Sequence, residues 1–175
     1  MKDVLIVYES KTGNTEKVAL AMAEALGDRC EVKKSTDEID LNAYKLIYVG
    51  YWVDKGMPCA PMQKFLATLE NKMVVLFQTL GAEPKSMHGT CSLINAAKFM
   101  PASSYVLGAF SARGAIDPKL IEMMRKMPAG HPHAPSPETE ARWAAAANHP
   151  DAAELAEAKE VAVERLAFFD KFYAK

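Results

Sequence analysis

Four short apolar runs stand out along the chain, at residues 4–8 (VLIVY), 46–50 (LIYVG), 73–77 (MVVLF) and 105–110 (YVLGAF). The first three are continuous rather than alternating in polarity, as expected of strands covered on both faces in a parallel sheet. A more polar run at 31–35 predicts a fifth strand at an edge, where one side of the ladder meets water. Between these runs the apolar residues recur at helical spacing, and such alternation predicts an α/β domain with a parallel sheet.

The helical segments carry their own start and stop signals. Residues 15–26 place Val18, Ala21, Met22 and Ala25 on one face, with Gly27 as the stop. Residues 61–70 present Met62, Phe65, Leu66 and Leu69, and a third pattern runs through Leu93, Ile94, Ala97 and Met100 up to Pro101. Asp117 and Pro118 form an N-cap and first-turn pair for a helix carrying Leu120, Ile121 and Met124. Residues 128–150 then interrupt the pattern with five prolines, three histidines and a short predicted helix at 137–147 capped by Ser136. The last helix opens at Asp151 and Glu154 in capping-box spacing, and its face of Leu155, Ala158, Ala162, Leu166, Phe169 and Tyr173 is expected to cover an open side of the sheet.

A chain of 175 residues, half of them apolar and a quarter charged, fits one globular domain spanning 1–175 with 128–150 as an insertion. With 21 basic and 22 acidic residues the formal charge is −1, so no global field argues for nucleic acid or a membrane surface. Cys30, Cys59 and Cys91 are widely spaced and form no Cys-x-x-Cys pair, which fits a reducing, cytoplasmic setting. No run approaches the roughly 20 apolar residues of a membrane span. His131, His133 and His149 invite a metal reading, but no cysteine or regular helical spacing supports it; the insertion reads better as a docking or cofactor-covering flap.

The chemistry concentrates where the first strand meets the first helix, in Glu9-Ser10-Lys11-Thr12-Gly13-Asn14-Thr15. Free backbone N–H groups and the positive end of the helix dipole converge there, so an anion can be held without a fixed cation. Ser10, Thr12 and Thr15 can donate hydroxyl hydrogens, Asn14 an amide, and Gly13 permits a turn that a side chain would hinder. The GxxxxGK[ST] and GxGxxG spacings are absent, which leaves a monophosphate cradle. The S-x-T-G-x-T string resembles the phosphate loop of the flavodoxin family, [ST]-x-T-G-x-T. That resemblance implies a doubly wound five-stranded parallel sheet of order 2-1-3-4-5, helices on both faces, and FMN at the switch point.

Two further loops follow at the same predicted edge. Tyr51-Trp52-Val53-Asp54-Lys55-Gly56-Met57-Pro58 resembles the family's second flavin loop. Trp52 is the leading candidate to stack on the isoalloxazine, with Tyr51 or Met57 as substitutes and Val53 beside it; core packing of Tyr51 and Trp52 is the competing reading. In the family, a glycine peptide near Gly56 responds to flavin reduction. Gln78-Thr79-Leu80-Gly81-Ala82-Glu83-Pro84 resembles the third loop, with Thr79, Leu80 and Gly81 at the pyrimidine edge. His88 lies farther along and reads as a capping or solvent residue.

The resemblance implies an FMN electron carrier working between a reductase and an acceptor enzyme, with redox partner proteins and no acid–base pair of its own. An NAD(P)H-dependent quinone or small-molecule reductase on the same scaffold is the alternative, since fold does not separate them; a flavin-free interaction module is the third. The near-neutral charge departs from the strongly acidic pattern of flavodoxins, so neither a very low potential nor a basic partner is implied.

Overall fold

A computed structural model describes residues 2–131 and 134–173. Five parallel strands form the sheet: β1 (Val4–Tyr8), β2 (Cys30–Lys34), β3 (Leu46–Asp54), β5 (Met73–Leu80) and β6 (Tyr105–Arg113), in the order β2-β1-β3-β5-β6. A two-residue strand, β4 (Met57–Pro58), pairs antiparallel with the end of β3. Counting the parallel strands alone, this is the expected 2-1-3-4-5 arrangement, with the order in which strands are added across the sheet reversing between β1 and β3.

Period-two alternation sends the strand side chains into two cores. Val4, Ile6, Tyr8, Leu46, Tyr48, Val75 and Phe77 face one side and pack with α1 (Asn14–Leu26) and α6 (Ala152–Phe172). Leu5, Val7, Ile47, Val49, Val74 and Leu76 face the other, against α2 (Ala60–Leu66) and α3 (Met87–Ala97). The first core has no room for a side chain at Gly50. A Cβ there would lie 2.1 Å from Cζ of Phe77, whose ring is fully buried. Gly50→Ala is therefore expected to cost about 1–3 kcal/mol through overpacking; denaturant unfolding with an unchanged slope checks it.

Several boundaries differ from the sequence expectation for identifiable reasons. β3 continues past Gly50 to Asp54 because Tyr51 and Trp52 pair with Gln78 and Thr79, and Val53 and Asp54 pair back onto Pro58 and Met57. β5 likewise runs to Leu80, opposite Arg113 of a longer β6. The segments read as the second and third loops therefore begin as strand. On α3, Ile94 is exposed rather than buried; Gly89, Ser92 and Ala96 are the buried positions, and a Cβ on Gly89 would lie 2.2 Å from the Pro84 carbonyl oxygen. On α6, Ala158, Ala162 and Phe169 are buried as expected, beside α1, but Tyr173 is exposed at the helix end.

α4 (Pro118–Arg125) precedes the inserted segment at 128–150, which carries α5 (Pro137–Ala146). Asp117 caps α4 through Lys119 N–H, and Ser136 forms a capping box with Thr139. Arg125 joins the two helices, pairing with Glu140 at 2.7 Å and lying over Trp143. Of the histidines weighed for a metal, His133 lies outside the described residues. No helix among the described residues is long and apolar enough to cross a membrane.

Candidate functional site

The loop between β1 and α1 lies at the carboxyl edge of the sheet, beside the point where strand order reverses. Glu9 N–H donates to the Gly50 carbonyl at 2.9 Å, tying the loop's start to β3, and the Ser35 hydroxyl donates to the Glu9 carboxylate. Gly13 is the N-cap of α1 in the left-handed region (φ 87°), which favours glycine, and it offers no side-chain cap. The first-turn N–H groups are consequently directed out of the helix end with no capping side chain.

Three hydroxyls of this loop have different environments. Ser10 Oγ is buried and, among the described residues, has no hydrogen-bond partner. Thr12 is exposed, and its Oγ1 accepts from Asn14 Nδ2 at 3.0 Å, which leaves its own hydrogen free to point elsewhere. Thr15 is buried and shares a hydrogen with Thr79 Oγ1 at 2.8 Å. A buried hydroxyl without a partner is costly unless a ligand or water satisfies it. Its place beside an uncapped helix N-terminus fits a phosphate, so the donor set present here suits the group that the loop's resemblance implies.

The other candidate residues divide by position. Trp52 and Thr79 are register partners on adjacent strands, and Thr79 is the residue reached by Thr15. Lys11 Nζ lies 5.7 Å from the Trp52 ring centroid and 3.6 Å from Asp117, so Lys11 and Trp52 share the same end of the sheet. Val53 is half-buried beside Trp52. Lys55 and Gly56 form the tip of the β3–β4 hairpin, with φ of 51° and 77°, the signs of a type I′ turn.

Tyr51 points into the second core instead. It is fully buried, its hydroxyl donates to Gln78 at 3.2 Å, and burial holds that phenol well above its ordinary range. Leu80 is buried, and Gly81 lies under Ile116, whose Cγ1 would be 2.7 Å from a Cβ at Gly81. Burial also pushes the Cys59 thiol up to about 11, which keeps it protonated near neutrality. Tyr8 is pushed up to about 12, first by burial and then by the Glu16 carboxylate that accepts its hydrogen.

Three features at this edge were not anticipated from sequence. Asn95 Nδ2 on α3 donates to the Gly56 carbonyl at 3.0 Å, and His88 lies beside the same glycine. Residues 114–117 form a strap across the edge: Gly114 N–H bonds Leu80 O, Ala115 O accepts from Asn14 at 2.8 Å, and Asp117 meets Lys11. His149, Asp151 and Glu154 also cluster, with ligand atoms within 4.8 Å of one another. Those atoms serve the start of α6: Glu154 accepts from Asp151 N–H at 3.0 Å and Arg113 N–H at 2.7 Å, and approaches His149 Nδ1 at 2.6 Å.

Comparison with known proteins agrees with the fold. A family model described as a flavodoxin domain matches residues 5–163. The flavodoxin-like domain-containing protein BilS of Clostridioides difficile (strain CD3) is 30% identical over 127 residues, covering 70% of this chain and 72% of the relative. The BilS protein of Clostridium symbiosum (strain WAL-14163) is 26% identical over 170 residues, covering 86% and 89%. Among solved structures, a flavodoxin from the domain Archaea matches with TM-score 0.56 and 15% identity, covering 96% of this chain and 99% of that one. A Lactobacillus acidophilus NCFM flavoprotein solved in complex with FMN matches with TM-score 0.53 and 21% identity, covering 63% and 93%. At those identities the structural matches speak to the fold.

Proposed function

Because this chain belongs to the flavodoxin domain family, we propose that it binds FMN at the carboxyl edge of its sheet and carries electrons between a reductase and an acceptor protein. The observation that supports this most is Ser10 Oγ, buried without a hydrogen-bond partner among the described residues, beside the uncapped N-terminus of α1. FMN would supply the redox chemistry itself. The chain's residues bind and orient. Ser10 and Thr12 donate hydroxyl hydrogens to the phosphate, and the first-turn N–H groups of α1 add the favourable end of its dipole.

Trp52 offers the ring face on which a flat aromatic system stacks, and the hairpin tip at Gly56 borders it. Thr15 acts indirectly, by joining the loop to Thr79 beside Trp52. No residue at the site is asked to relay a substrate proton, consistent with a carrier that hands on electrons without transforming a bound substrate.

The test is a titration of the purified cofactor-free chain with FMN, followed by stepwise photoreduction. Saturating quenching of flavin fluorescence at one equivalent is expected, with negligible NAD(P)H oxidation until a partner reductase is added. Absence of quenching overturns FMN binding. Rapid NAD(P)H consumption by the chain alone overturns the carrier role in favour of a stand-alone reductase.

A further inference from the structure

We propose that Asn14 is a positioning residue that links the phosphate loop to the inserted segment, so that filling the loop tightens a part of the chain far along the sequence; this rests on the reading of the loop as the phosphate site. Asn14 is nearly buried, and both hydrogens of its side-chain amide are engaged, one on Thr12 Oγ1 at 3.0 Å and one on Ala115 O at 2.8 Å. The amide therefore has no hydrogen left for an anion. Its Cβ and Cγ also rest against Gly114, 3.4 Å from where a Cβ would stand.

The strap that Asn14 holds leads into α4 and is bonded to the far end of the insertion. Ala115 N–H donates to His149 O at 2.9 Å, and Asp117 caps α4 while pairing with Lys11. The entry and exit of the segment carrying α4 and α5 thus meet at one residue, whose carbonyl is gripped from the phosphate loop. An anion that orders the Thr12 hydroxyl orders the oxygen on which Asn14 donates. That constraint passes through Ala115 to His149. Linkage makes the coupling reciprocal: a tighter strap raises anion affinity by the same factor.

Hydrogen–deuterium exchange on the full chain, with and without saturating FMN, tests this. In the unsubstituted chain FMN is expected to slow exchange at residues 10–17 and also, several-fold, at 114–117 and across 118–148. In Asn14→Ala, protection at 10–17 persists at higher FMN concentration while protection beyond residue 114 disappears. Gly114→Ala should uncouple the segments likewise, because its Cβ would stand 3.0 Å from Asn14 Nδ2 and push the strap away. Equal FMN protection of 118–148 in both variants and in the unsubstituted chain overturns the proposal.

A different result bears on the phosphate assignment: failure of FMN to protect 10–17 in the unsubstituted chain overturns that reading. The coupling is then decided without cofactor. Asn14→Ala must speed exchange of the Ala115 amide, which reports its bond to His149, and an unchanged rate there overturns it.

Discussion

Replacing Gln78 by Leu is expected to destabilise the protein by about 3–5 kcal/mol, because a fully buried polar junction loses its centre. Gln78 Nε2 donates to Gly89 O and to Ser111 Oγ, each at 2.8 Å, while Oε1 accepts from Ser92 Oγ and from the Tyr51 hydroxyl. One side chain on β5 thereby joins β3, β6 and α3. Leucine has a similar volume, so little cavity forms; what remains is unpaired polar surface. Ser92 and Gly89 keep their own bond at 2.9 Å, but the hydroxyl of fully buried Tyr51 loses its acceptor. Urea unfolding gives the measure, and a loss under about 1 kcal/mol, the net contribution of a single ordinary bond, would contradict the junction's importance. Loss of α3's anchor should also loosen the Asn95 contact to the Gly56 carbonyl.

The second large effect is on binding. Combining Ser10→Ala with Thr12→Val is expected to weaken FMN binding at least about 100-fold while leaving the unfolding midpoint nearly unchanged, since each hydroxyl bond to a charged phosphate contributes about 1.5–3 kcal/mol. Ser10 Oγ has no hydrogen-bond partner among the described residues to lose, and exposed Thr12 gives up a single bond, the one its Oγ1 accepts from Asn14 Nδ2. Thr15→Val is a poorer probe of phosphate contact. It also strands Thr79 in the core, so weakened binding there would mix lost affinity with lost stability. Fluorescence titration of the double variant against free riboflavin separates the phosphate contribution from ring stacking. If riboflavin and FMN bind the unsubstituted chain equally well, the phosphate assignment fails.

Much of this is legible in the sequence. The four apolar runs placed β1, β3, β5 and β6 within a few residues, the first three through the continuous signature that burial on both faces leaves, and the more polar edge run placed β2. The Ser10–Thr15 string, a contiguous stretch of hydroxyls and glycine at a strand-to-helix junction, marked the candidate phosphate loop because its chemistry is local. Strand ends were less legible. The continuation of β3 through Trp52 depends on Thr79 lying opposite, and nothing near Trp52 in the sequence states that pairing. The same holds for Tyr51, whose aromatic ring suits a loop or a core equally until Gln78 is found beside it.

The sequence by itself determined the class of fold and the helix caps at Asp117, Ser136 and Asp151, and it marked the candidate anion loop, since each follows from residues within a few positions of one another. Tertiary structure decided which of those polar groups remain available. Asn14 reaches Ala115 across 101 positions and Thr15 reaches Thr79 across 64. A donor is free or occupied according to what the folded chain brings within 3 Å, and that proximity is fixed by the packing of the whole sheet rather than by local spacing.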